Sequence, residues 1–206
     1  AVERGMQVRV VSIPSNIDGT QQFVKYLRAP GKTRPLVTAL HTWSYDYSQD
    51  ISAHYFQKCG ELGWHCIFPD FRGPNRNPEA CGSRKALGNL QDAVQWAAEN
   101  LSVDHRRIFL AGESGGGYMA LLAAGKLPSL WTAVSAWASI TDLARWRNEC
   151  VARDLPYSAD IEAVCGGVPG ASPEVDSQYR ERSPMHSMWR ANIVPVEINA
   201  GVHDSH

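Results

Sequence analysis

The residues best suited to chemistry lie in "FLAGESGGGYMALLAA", where Gly112-Glu113-Ser114-Gly115-Gly116 satisfies G-x-S-x-G. An apolar run leads in and an Ala-rich run leads out. In that context the serine stands on a sharp strand-to-helix turn, with its hydroxyl projecting above a sheet. Side chains at Gly112 and Gly116 would collide with neighbouring backbone, so small residues are required there. The helix that begins at the turn aims N–H groups and its positive dipole end at any developing oxyanion. A phosphate-binding loop is the competing reading. No Lys-Ser/Thr pair follows the glycines, however, and no G-x-G-x-x-G register fits.

Such a serine needs elements to hold it. "MQVRVVSIPS" and "QQFVKYLRAP" read as two strands joined by the turn "SNIDGT". "RPLVTALHTW" suits a buried strand, and "DISAHYFQKCGELG" a helix closed by Gly63. "WHCIFPDFRGP" returns to strand character. In "SRKALGNLQDAVQWAAENL", Leu87, Leu90, Val94, Ala97 and Leu101 make one apolar helical face. The strand "RRIFLAGES", the helix "GGGYMALLAAGKL" and the strand "WTAVSAWAS" follow. This alternation predicts an α/β fold with a mainly parallel sheet covered on both faces. Residues 142–192 break the rhythm and form a candidate cap or pocket wall, before strand character resumes at Val194.

With 206 residues and 22.7 kDa, the chain suits one domain over 1–206. A net charge of -1 argues against a broad nucleic-acid surface, and no apolar run is long enough for a membrane span. The first residues carry no signal pattern, although "AVERGM" is compatible with a processed terminus. A soluble protein is expected, either cytoplasmic or secreted/periplasmic after signal removal. Cys59, Cys66, Cys81, Cys150 and Cys165 form no CxxC pair and show no metal-type spacing with histidine, so neither a metal nor a cofactor is implied. A Cys81–Cys165 bridge is open, with buried thiols the preferred reading.

"ALHTW" (39–43), "PDFRG" (69–73), "GESGGG" (112–117) and "AGVHD" (200–204) occur in an order that resembles the α/β-hydrolase superfamily. Within it the likeness is to prolyl-oligopeptidase-like serine hydrolases and related esterases. The resemblance implies an oxyanion hole from the backbone N–H groups of Gly115 and Trp43, with Thr42 where the family carries glycine. It implies that His41 braces this loop rather than acting as a base, and that Arg72 and Asp70 hold neighbouring loops as an ion pair. The acid is expected at Asp204, with Asp142 the second choice; the alternative for Asp142 is an N-cap of the following helix. The base histidine is expected beyond residue 206. His206 is a lesser candidate, and His203 is expected to brace the acid turn. The sequence is accordingly expected to lack the last strand, the histidine loop and the final helix.

The function expected is a serine hydrolase working through an acyl-enzyme on Ser114. A carboxylic ester, or an acylated carbohydrate, is preferred to a short peptide because no propeller domain is visible upstream. Trp43, Tyr45, Tyr47, Trp137, Trp146 and Trp189 are candidate sugar-stacking surfaces, or else core and pocket wall. A prolyl-oligopeptidase-like peptidase and a non-catalytic ligand-binding protein are the alternatives.

Overall fold

The computed structural model describes residues 7–201. β1 (Val8–Pro14) and β2 (Gln21–Leu27) form an antiparallel hairpin. β3 (Arg34–Leu40), β4 (His65–Pro69), β5 (Val103–Glu113), β6 (Ala133–Trp137) and β7 (Val196–Asn199) run parallel to one another, and β2 joins them antiparallel to β4. The order across the sheet is β1-β2-β4-β3-β5-β6-β7. It is the α/β-hydrolase fold, with β7 beginning two residues later than the sequence pattern predicts.

Alternation along the central strands separates two apolar layers. On β4, Ile67 joins the larger core, whereas Cys66 and Phe68 join a smaller one with Phe56 and Cys59 of helix α1 (Ser52–Leu62). The larger core lies under helices α2 (Arg84–Asn100) and α3 (Gly115–Lys126). Local signals set the helix ends. Gly63 closes α1 in the left-handed conformation, and the Ser83 hydroxyl accepts from Ala86 N–H at the start of α2.

The segment that breaks the rhythm folds into α4 (Leu143–Ala152), α5 (Tyr157–Cys165) and α6 (Pro173–Arg182), followed by short 3₁₀ turns. Asp142 accepts from the N–H groups of Ala144 and Arg145 and so caps α4, the role its sequence context offered as an alternative to catalysis. All five cysteines are free and buried, Cys81 beside the Tyr118 hydroxyl at 3.7 Å.

The expected Arg72–Asp70 pair is not formed. Arg72 is turned the other way, donating to Asp18 at 2.8 Å, Glu79 at 3.2 Å, Asn89 at 2.6 Å and Ser15 at 3.1 Å. Its guanidinium thereby ties the β1–β2 turn to the loop before α2. The guanidinium holds the Asp18 carboxyl well below the usual carboxylate range.

Candidate active site

Three strand ends converge at Ser114. Leu40 of β3 lies opposite Gly112 of β5, and Glu113 opposite Trp137 of β6. The Ser114 N–H donates to the Trp137 carbonyl at 2.8 Å, and its own carbonyl accepts from Tyr118 N–H at 2.8 Å. Between these bonds its backbone sits at φ 52, ψ −119, outside the regions comfortable for a residue with a Cβ.

Steric crowding shows why glycines surround it. A Cβ at Gly112 would come within 2.4 Å of the Gly116 carbonyl, and one at Gly116 within 2.7 Å of the Leu40 carbonyl oxygen. At Gly115 it would lie 2.3 Å from the Trp43 nitrogen. The first peptide of α3 is therefore pressed against the backbone of Trp43. Gly115 N–H has no acceptor within its own helix, because first-turn donors have none.

The Trp43 loop is fixed on several sides. Thr42 N–H donates to Gln49 Oε1 at 2.9 Å, and Gln49 Nε2 donates back to the Thr42 hydroxyl at 2.9 Å. Threonine at this position therefore has a use: it clamps the loop. The ring nitrogens of His41 lie 3.0 Å from the Thr42 carbonyl and 2.7 Å from the Asp70 carbonyl, and the ring stacks on Phe71 at 3.8 Å. Burial pushes the pKa of His41 down. A neutral ring can donate to only one of these two carbonyls, and in either tautomer the buried imidazole is engaged with loop backbone rather than with Ser114. Asn75 N–H donates to the Trp43 carbonyl at 2.8 Å, and the Trp43 indole N–H donates to Asp160 of α5 at 3.1 Å.

Asp70 has no salt-bridge partner among the described residues, and burial pushes its carboxyl up to about 6, with neighbouring Asp46 acting in the same direction and the Tyr47 N–H and the more distant Arg72 charge opposing it. Tyr47 N–H, at 3.3 Å, is its one hydrogen-bond donor among the described residues. A folded pKa above the ordinary 3.8 favours the folded state at low pH, and that advantage is lost as pH rises through about 6. Asp70→Asn keeps an acceptor for Tyr47 without the charge. It is expected to leave stability near pH 4 almost unchanged and to add about 1–2 kcal/mol at pH 7–8, reduced from the full linkage value by partial solvent access. Urea melts at the two pH values measure this, and equal effects at both would refute it.

Of the other site expectations, Asp204, His203 and His206 lie outside the described residues. Among the described residues no histidine is hydrogen-bonded to Ser114. His41 is braced as above, and His65 accepts from Ala29 N–H through Nδ1 at 3.0 Å. The aromatic candidates divide. Trp43 and Trp146 are buried and meet edge to face at 4.8 Å, and Tyr47 stacks on Phe23 at 5.1 Å. Tyr45, Trp137 and Trp189 are exposed, and the Trp137 indole leans back along β6 to donate to Ser135. Sequence reading missed Gln49, Asn75 and Asp160; none stands in a pattern that marks it, because each acts only through the folded path of the Trp43 loop.

Residues 82–206 match the family described as "Prolyl oligopeptidase family". Among solved structures, S-formylglutathione hydrolase FrmB from Staphylococcus aureus is similar with a TM-score of 0.72 at 15% identity, covering 96% of this chain and 80% of that one. An acetyl xylan esterase from Paenibacillus sp. R4 gives 0.65 at 15% identity, covering 97% and 82%. A puromycin-hydrolyzing peptidase from Mycobacterium tuberculosis gives 0.72 at 17%, covering 96% of this chain but 31% of that one. At these identities the likeness is one of fold.

Proposed function

The chain belongs to the prolyl oligopeptidase family, a family of serine hydrolases, and from that premise we propose that it cleaves carboxylic esters through an acyl-enzyme on Ser114. The observation that carries the reading is the elbow itself. Ser114 is held at a positive φ between two backbone hydrogen bonds, with Gly115 against the Trp43 backbone.

In this reading the Ser114 hydroxyl attacks the ester carbonyl, and its proton passes to a histidine outside the described residues. Asp204 orients that histidine and stabilises its charged form. The N–H groups of Gly115 and Trp43 hold the oxyanion, where preorganised donors act most strongly because they are fixed before charge develops. The histidine then protonates the departing alcohol, and water repeats the sequence to release the acid.

An acylated carbohydrate is the finer substrate reading. Its support is Tyr45, half exposed and two residues beyond Trp43, where a sugar ring could stack. A short peptide is the second substrate class, since peptidases share both the family and the fold.

A fluorophosphonate probe followed by peptide mapping tests the proposal. Covalent label on Ser114 is the expected result, and its absence from folded full chain would refute the hydrolase reading. A panel of p-nitrophenyl esters, acetylated sugars and Xaa-Pro amides then ranks substrates; turnover confined to the amides would overturn the ester assignment.

A further inference from the structure

We propose that Asp160 is a positioning residue for the oxyanion hole, acting through the side chain of Trp43 from the segment that breaks the α/β rhythm. The inference rests on the serine-hydrolase reading above and extends it to a residue 117 positions from Trp43 in the chain.

Trp43 is held from both ends. Its carbonyl accepts from Asn75 N–H, and its backbone nitrogen lies against Gly115. Trp43 is 3% exposed, and its indole donates through Nε1 to Asp160 Oδ2 at 3.1 Å. The same ring meets Trp146 of α4 edge to face, and Trp146 stacks on Tyr157, the first residue of α5, at 5.3 Å. Tyr157 and Asp160 are one helical turn apart, so one face of α5 supports the indole by both packing and a hydrogen bond. Asp160 stands in the first turn of α5.

A side chain fixed at its tip restricts the rotation of its own backbone. The Trp43 N–H direction is set by the peptide that the indole anchors. Positioning of an oxyanion donor to a fraction of an ångström is what separates a working hole from a loose one. The 142–192 segment therefore serves the chemistry as a brace for the Trp43 loop, in addition to any role as a pocket wall.

The test uses full chain with p-nitrophenyl acetate and its thiono analogue, whose C=S sulfur is a poor fit to an oxyanion hole. Asp160→Ala is expected to lower kcat for the oxo ester about ten- to a hundredfold with little change in KM, and to shrink the oxo/thiono preference. Asp160→Asn, which keeps an acceptor for the indole, should restore most of both. In a Trp43→Phe background, which lacks the indole N–H, adding Asp160→Ala should cost nothing further. Unchanged kcat, or equal loss on both esters, would overturn the inference. Hydrogen exchange of the Trp43 indole N–H by NMR reads the clamp without turnover: at least about tenfold faster exchange in Asp160→Ala supports it, and unchanged exchange overturns it. A wild type that fails to hydrolyse yet shows this exchange difference would instead count against the hydrolase reading.

Discussion

Replacing Ser114 by glycine is expected to silence ester hydrolysis and, at the same time, to raise the melting temperature. Removal of an acyl-transfer nucleophile costs about 10⁴-fold or more in kcat. The gain in stability comes from the backbone. A residue with a Cβ at φ 52, ψ −119 carries strain of about 1–3 kcal/mol, which glycine does not feel. Glycine also makes the unfolded chain more flexible, at a cost of about 0.5–1 kcal/mol. The net is about 1 kcal/mol, or about 2–4 °C in a chain of this size. Ser114→Ala separates the two effects: it should be equally silent but retain the strain, and so melt close to the wild type. Hydrolysis surviving in either variant would remove Ser114 from the mechanism. A glycine variant melting at or below the wild type would remove the strain argument.

The second large effect is expected at Gly115. An alanine there would place its methyl 2.3 Å from the Trp43 nitrogen and 2.5 Å from its Cα. Both are backbone atoms, so no flexible side-chain end can swing aside. Either the Trp43 loop or the first turn of α3 must move, and in both cases the spacing of the two N–H groups assigned to the proposed oxyanion hole changes. Loss of one oxyanion donor costs about 10²–10³ in kcat, so Gly115→Ala is expected to fall by at least about 10²-fold. The loop is also pinned by Gln49, Asn75 and His41, and the displaced contacts should lower stability by about 1–3 kcal/mol. Steady-state kinetics beside thermal melts check both parts. A variant within threefold of wild-type kcat would show that the Gly115–Trp43 contact is not where the carbonyl oxygen binds.

The elbow is legible in the sequence because its strand, serine, glycines and helix follow one another within a few residues, although the backbones that crowd Gly115 and Gly116 belong to the distant Trp43 and Leu40. A strand, a strained serine and a helix crowded against neighbouring backbone leave no room for a Cβ at positions 112, 115 and 116, while Glu113 is accommodated. The amphipathic face of α2 and the cap at Asp142 were readable for similar reasons, since period and capping chemistry act within a few residues.

The partner of Arg72 was not readable. "PDFRG" places Asp70 two residues away, but Phe71, Arg72 and Gly73 all take positive φ (35, 78 and 72). The chain coils left-handed there, and the guanidinium ends beside Asp18, 54 residues back, rather than beside Asp70. The Trp43–Asp160 bond is hidden for a related reason. Aromatic residues offered as ligand surfaces looked alike in sequence, and only packing turned Trp43 and Trp146 inward while leaving Tyr45 and Trp189 outside.

The pairing of Leu40 with Gly112 also dictates when during folding the site can exist. Helix α3 forms from residues close in the chain, on the fast timescale of local structure, whereas the turn before it is fixed by Trp137 of β6 and by the backbones of Leu40 and Trp43. The second wall, the Trp43 loop, reaches Ser114 only once β3 has found β5 across some seventy intervening residues, including α1, β4 and α2. That non-local closure is the slow, entropically costly part of assembling an α/β sheet. The strained serine and the loop that faces it therefore come together only in the joined sheet, and until then the nucleophile is chemically idle.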